Sequence, residues 1–154
     1  MVLSKLFRKW FSKFEPQTVP FGEFGEVTSS RGFLSDAIMW ELSPRLSIDG
    51  RKAGVFLLLS KDEQPSESHI HLCRCILDNW PTTWRSIQAV LCDLYLDDGP
   101  NADKQSYLEK MKPAVFKLEG DSIEWELFCK PDLWGHSLTA CINDYDCTTV
   151  RLEG

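Results

Sequence analysis

The sequence lacks the long apolar runs of membrane-spanning and exported proteins. No window approaches the roughly 18 consecutive apolar residues that a membrane-spanning helix requires. Near the start, charges interrupt the apolar residues, whereas a signal peptide has an unbroken run of roughly 7 to 15. The six cysteines occur beside six Trp and nine Phe, more core residues than a disulfide-rich scaffold usually has. We therefore expect reduced cysteines and a cytoplasmic location, with peripheral attachment at the inner membrane face as the alternative.

Common catalytic and phosphate-binding motifs are also missing. The sequence contains no Gly-x-Ser-x-Gly elbow and no glycine-rich phosphate loop, and its acidic turns lack the ligand spacing of an EF-hand. The formal net charge is −6, and an acidic protein repels nucleic-acid phosphates. We therefore expect no cofactor and no nucleic-acid partner, and we favour a protein that is not an enzyme.

The first fourteen residues contain no acidic side chain, and their apolar residues recur at helical spacing. The apolar stripe consists of Leu3, Leu6, Phe7, Trp10, Phe11 and Phe14. The four cations beside it are Lys5, Arg8, Lys9 and Lys13. Four of the 17 basic residues lie here, so the other 13 face all 23 acidic groups, a formal −10. The pattern predicts a basic amphipathic helix over residues 1–15, whose stripe is buried on its own domain, a partner protein or an anionic membrane.

Two prolines predict a linker over residues 16–20, followed by one domain over residues 21–154. Strand patterns occupy residues 24–28 and 37–42, and Asp49 with Gly50 predicts a hairpin turn. The run from Val55 to Leu59 is apolar without alternation. Such a run predicts a central strand that is covered on both faces.

The apolar period then changes from two to 3.6. Residues 66–80 and 82–96 predict two helices joined near Pro81, which we interpret as an antiparallel helical hairpin. Alternation returns in the last forty residues and predicts four more strands, over 114–118, 123–129, 136–142 and 147–152. This order predicts an α+β domain, with an antiparallel or mixed sheet and the helical hairpin on one face.

His69, His71, Cys73 and Cys75 are the candidate metal ligands, because on a strand all four would share one face. On the predicted helix they separate into two pairs, His69 with Cys73 and His71 with Cys75. Their two-residue spacing also lacks the Cys-x-x-Cys geometry of a closed zinc site. Packing and surface roles are therefore favoured over metal binding.

The candidate catalytic residues are His136, as a general base, with Asp132 or Asp144. Adjacent strand residues point to opposite faces, so Ser137 cannot exchange a proton with His136 on a strand. A hairpin corner in which Gly135 permits an unusual backbone angle is the preferred interpretation.

The segment from Asp132 to Leu138 resembles bacterial domains of unknown function that carry a Trp/Phe-Gly-His-Ser-Ile/Leu signature near the C-terminus. The resemblance implies an α+β domain and brings no established reaction, cofactor or catalytic residue. By analogy it implies an immunity or interaction role in bacterial conflict systems. Three hypotheses follow: a non-enzymatic, immunity-like module that binds a basic protein, a peripheral membrane protein attached by residues 1–15, and a hydrolase that uses His136.

Overall fold

The computed structural model describes residues 15–31, 37–95, 111–119, 124–130 and 137–153. They form nine strands, one short 3-10 helix over Gly22–Phe24 and two α-helices. The strands are β1 (Thr18–Pro20), β2 (Glu26–Arg31), β3 (Ala37–Ser43), β4 (Leu46–Ile48), β5 (Arg51–Ser60), β6 (Lys112–Glu119), β7 (Glu124–Lys130), β8 (Ser137–Asn143) and β9 (Asp146–Glu153). The helices are α1 (Glu67–Asp78) and α2 (Trp80–Tyr95). Residues 1–14 of the predicted amphipathic helix lie outside the described residues.

The strands form one mixed sheet in the order β1-β2-β3-β5-β6-β7-β8-β9, with β4 paired to β5 beside this path. Strands β5 and β6 are parallel, and the other paired strands are antiparallel. A parallel pair needs a long crossover connection, which α1 and α2 supply. The predicted α+β class is therefore confirmed, and of the two predicted alternatives, antiparallel or mixed, the sheet is mixed.

The two helices follow one another through a bend. Only Asn79 separates them, and its backbone angles of φ −104° and ψ 7° are not helical. The Asn79 amide donates to Cys75 at 3.0 Å, and its carbonyl accepts from Thr83 at 3.1 Å. The junction that was predicted near Pro81 therefore lies at Asn79, two residues earlier, and the antiparallel direction of the two helices stays a prediction. Pro81 falls in the first turn of α2, where a missing amide hydrogen removes no intrahelical bond.

Residues with positive φ explain the turn between β4 and β5 and the start of β2. Asp49 and Gly50 have φ values of 48° and 71°, so the predicted hairpin turn between β4 and β5 is confirmed. The strand predicted from residue 24 begins at Glu26, because Gly22 and Gly25 hold positive φ values around the 3-10 helix. Residues 18–20, within the predicted linker, form β1 on the edge of the sheet.

One face of the sheet and the two helices enclose the core. The register aligns Trp40, Leu57, Leu118 and Trp125 across β3, β5, β6 and β7, and all four are buried. The helices add six buried apolar side chains: Ile70, Cys73, Ile76, Trp80, Ile87 and Leu91. The ring of Trp80 packs edge-on against Phe116 with centroids 5.7 Å apart. Both helices therefore cover the same face, which we call the core face.

Candidate functional site

The opposite side of the sheet, called here the second face, carries an apolar strip. Its members are Met39, Phe56, Leu58, Val115 and Phe128. All five are half-buried. The strip crosses β3, β5, β6 and β7, which are consecutive in the sheet. It therefore lies over the middle of the sheet rather than at an edge.

The strip is continuous because Gly54 has no side chain between its members. A Cβ atom at Gly54 would lie 3.2 Å from Cε2 of Phe56 and 3.6 Å from Cγ2 of Val115. Both side chains thus lean over the glycine backbone. Val115 is in turn paired with Phe128 on β7, which extends the apolar surface by one more strand.

A row of ion pairs borders the strip. Lys117 Nζ lies 2.5 Å from Glu119 Oε1 and 3.3 Å from Glu126 Oε2, and Arg151 Nη2 lies 3.2 Å from Glu126 Oε1. Partial burial lowers the pKa of Lys117, but its bonds to Glu119 and Glu126 outweigh this effect and raise the pKa above its ordinary value. Lys117 is therefore a cation at neutral pH, bonded to two carboxylates.

A cavity of about 300 Å³ lies beside this row. Its lining includes Lys117, Glu126 and Cys141. The Cys141 thiol lies 4.0 Å from Glu126 Oε1 and 3.7 Å from Arg151 Nη2. The Lys117 and Glu126 charges that line the cavity are paired with each other, and Glu126 is also paired with Arg151.

The four candidate metal ligands separate into two pairs. His69 and Cys73 are buried, and Nδ1 of His69 accepts a hydrogen bond from the Ser66 amide at 3.1 Å in the capping box of α1. His71 and Cys75 lie on the outer side of the helix, with Nε2 and Sγ 3.4 Å apart. Among the described residues, no group of three or more His, Cys, Asp or Glu side chains could hold a metal ion.

Three buried cysteines are held as neutral thiols. Burial raises the pKa of Cys73 to about 12, with a smaller contribution from Glu23, and raises that of Cys129 to about 12. Burial likewise raises the pKa of Cys147 to about 11. A thiol is a nucleophile only as the thiolate, so these three side chains act as apolar core residues at neutral pH.

Only one of the three candidate catalytic residues falls within the described part of the chain. Asp144 is exposed and has a φ of 58° in the turn between β8 and β9. In the same turn, a hydrogen bond to Cys75 is the main reason that the pKa of the Tyr145 phenol is raised. His136 and Asp132 lie outside the described residues, so the hydrolase hypothesis stays a prediction. The ten side chains of the basic amphipathic segment lie outside them as well.

Sequence reasoning missed the second face as a site. The available signal was the run from Val55 to Leu59, which predicted cover on both sides of β5. The buried members of this run point into the core, whereas Phe56 and Leu58 belong to the half-buried strip. The other strip residues, Met39, Val115 and Phe128, lie in separate strands, and only the strand register brings them together.

No helix within the described ranges is long and apolar enough to cross a membrane. The signature that carries the resemblance to bacterial domains of unknown function lies largely in residues 131–136, outside the described residues, so the resemblance stays a prediction. No protein-family model, no curated protein and no solved structure matches the chain.

Proposed function

We propose that this chain is a non-enzymatic protein-binding domain whose second face binds a basic, amphipathic segment of a partner protein. The observation that supports this proposal is the half-buried apolar strip on the central strands, opposite the helices. Core side chains of a domain are normally removed from water, and a contiguous apolar patch that is not removed marks an interaction surface. Phe56 and Phe128 are the aromatic anchors of this surface, since aromatic residues often dominate interface energetics.

The charge of the chain favours a basic partner. Glu41 is exposed on the second face, where Glu119 is paired with Lys117 and Glu126 with Arg151. The chain from residue 15 onward also carries the formal −10 noted above. An acidic domain accelerates its encounter with a basic partner by electrostatic attraction, which salt weakens. A toxin domain is the partner class that the resemblance to bacterial families suggests.

Capture of partners from the source organism tests this function. The bait is the full chain, compared with Phe56→Gln/Phe128→Gln. The matched control is Leu72→Gln/Val90→Gln, which makes the same change at half-buried apolar positions of the helices. Thermal unfolding selects conditions in which all three baits are folded.

We expect the wild type and Leu72→Gln/Val90→Gln to retain the same basic protein. The variant Phe56→Gln/Phe128→Gln, which changes the apolar strip, should lose it. Retention should weaken as the salt concentration is raised. Equal retention of that protein by the strip variant would contradict the proposal, as would a set of captured proteins that is acidic throughout.

The sequence of residues 1–14 supports a second candidate function, attachment to an anionic membrane surface. Each of the four cations beside the apolar stripe would contribute about 1 kcal/mol near anionic lipid. Flotation of the full chain with anionic vesicles, but not with neutral vesicles, is the expected result. A chain that stays at the bottom of the gradient with both vesicle types would exclude this candidate.

A further inference from the structure

A thiol on the outer side of α1 has two polar partners from different parts of the chain. Sγ of Cys75 lies 3.4 Å from Nε2 of His71, which is one helical turn earlier on the same side of the helix. The phenol of Tyr145, in the turn between β8 and β9, is hydrogen-bonded to the same sulfur. We call these three side chains the thiol site. Cys75 is half-buried and His71 is exposed, so the site is open to solvent.

The two partners of Cys75 have complementary effects on its proton. A neutral imidazole accepts a proton from a thiol, and a cysteine with a base in hydrogen-bond reach is the usual form of an activated thiol nucleophile. The bond to Cys75 is the main cause that raises the pKa of the Tyr145 phenol, so the phenol is the donor in this bond. A donor stabilises the thiolate more than the thiol, because bonds to an anion are stronger. The geometry therefore lets His71 take the proton while Tyr145 stabilises the anion.

The charges around the thiol site disfavour anionic reagents. Asp144 and Asp78 add smaller contributions that raise the pKa of the Tyr145 phenol, so both carboxylates lie near it. Both are exposed. A negatively charged reagent is repelled by such a pair at low salt, whereas an uncharged reagent is not. The half-buried sulfur also limits the size of the reagent, so a small uncharged electrophile fits this site best.

The surroundings of Cys75 differ from those of Cys141, which is also half-buried. The Cys141 thiol lies between the guanidinium of Arg151 and the carboxylate of Glu126. A guanidinium cannot accept a proton, and a carboxylate is a much weaker base than an imidazole and repels a thiolate. We therefore expect Cys75 to be the stronger nucleophile of the two.

We propose that Cys75 is a modification site whose thiol reacts with small, uncharged peroxides. The thiolate sulfur attacks one oxygen of hydrogen peroxide, so that an S–O bond forms while the O–O bond breaks. The leaving hydroxide takes the proton that His71 received from the thiol, and the products are a sulfenic acid and water. The sulfur loses an electron pair, which the peroxide gains. The site lies on α1, away from the second face, so it is independent of the proposed binding function.

Trapping of the sulfenic acid in the full chain tests the site. The protein is treated with hydrogen peroxide in the presence of excess dimedone, which labels sulfenic acids, and the labelled peptides are quantified by mass spectrometry. His71→Gln removes the base and Tyr145→Phe removes the phenol. Glu67→Gln changes an exposed titratable side chain of the same helix and is the matched control. Cys92 and Cys141, which are also partly exposed, serve as references within each sample.

We expect the wild type to be labelled at Cys75 several-fold faster than at the two reference cysteines. His71→Gln should slow the labelling of Cys75 several-fold and Tyr145→Phe to a smaller extent, while Glu67→Gln and the reference cysteines stay unchanged. Equal labelling of the three cysteines in the wild type would overturn the proposal. So would a rate at Cys75 that His71→Gln leaves unchanged.

A pH profile separates a chemical role of His71 and Tyr145 from a structural one. The rate of Cys75 alkylation by iodoacetamide, an uncharged reagent, is measured for the wild type and the two variants. At neutral pH the wild type should react several-fold faster. Above about pH 10 thiols ionise without help from a base, so the three rates should converge. A deficit that persists at high pH would overturn the assigned roles, because the variants would then have altered access to the sulfur.

Salt dependence tests the preference for uncharged reagents. We expect an anionic aromatic disulfide to react with Cys75 faster as salt is added, because salt screens Asp78 and Asp144, whereas the rate with iodoacetamide stays constant. The double variant Asp78→Asn/Asp144→Asn should remove this salt dependence. An anionic reagent whose rate is insensitive to salt in the wild type would overturn the preference.

Discussion

Trp80 and Asp49 are joined by a hydrogen bond of 2.6 Å from the indole Nε1 to the carboxylate Oδ2. The bond connects the first residue of α2 to the hairpin turn between β4 and β5, 31 residues earlier in the chain. Trp80 is 3% exposed, and its ring also contacts Phe116 on β6. The turn thus helps to hold the crossover helices on the core face.

Loss of the Asp49 carboxylate should destabilise the domain. Asp49→Gly keeps the positive φ of 48° without strain but removes the acceptor of a buried indole. An unsatisfied buried donor costs about 1–3 kcal/mol, and we expect that loss in the free energy of unfolding measured with urea. Asp49→Asn tolerates the same backbone angle and keeps an acceptor, so it should cost less than half as much. An Asn variant as unstable as the Gly variant would contradict the role of this bond.

Gly25 should tolerate substitution much less well than Gly50. A Cβ at Gly25 would lie 2.5 Å from the Ser43 carbonyl oxygen and 2.8 Å from Cδ of Pro44, at a φ of 115°. Gly50 has a φ of 71° but no atom within 4 Å of the same position. We expect Gly50→Ala to cost about 1 kcal/mol and Gly25→Ala to cost several times more, in parallel urea unfolding experiments. Equal costs would show that the β3 backbone moves away from the added methyl group.

The contrast between local turns and the second face explains what the sequence could predict. The turn at Asp49 and Gly50 could be predicted from the sequence, because two adjacent residues determine it. The strip could not be predicted from the sequence, because a shift of one residue in strand register would move Val115 or Phe128 to the other face of the sheet. The helix junction was misjudged for another reason. Pro81 breaks a helix in its interior but is accepted in a first turn, and sequence alone did not distinguish these positions.

The six cysteines should divide into two classes by their rate of alkylation. Burial holds the pKa of Cys73 and Cys129 at about 12 and that of Cys147 at about 11. The three other cysteines, Cys75, Cys92 and Cys141, are partly exposed. We expect iodoacetamide at neutral pH to modify the second class at least tenfold faster, as read by peptide mass spectrometry. Denatured protein provides the control, because all six should then react at similar rates.

The same buried thiols predict a loss of stability at alkaline pH. An unfolded thiol ionises near pH 9.0, whereas folded Cys129 ionises at about 12. Between these values the unfolded state releases protons that the folded state retains, so the free energy of unfolding falls as pH rises. Below pH 9 this contribution is fully present. Cys129→Ala should therefore show a shallower decline in urea unfolding between pH 9 and 11, and an unchanged slope would contradict the assignment.

The last prediction concerns the pKa of Lys117 in the row of ion pairs on the second face. Glu126 accepts from both Lys117 and Arg151, so Glu126→Gln should lower the pKa of Lys117 and cost about 1 kcal/mol or less in unfolding. NMR titration of ¹³C-dimethylated lysines measures the pKa. Glu119→Gln is the control that lowers the same pKa but leaves the Arg151 pair intact.

An unchanged Lys117 pKa in Glu126→Gln would contradict the pairing. We expect the pKa of Lys117 to fall in both Glu126→Gln and Glu119→Gln, because both carboxylates stabilise its ammonium group, at 3.3 Å and 2.5 Å.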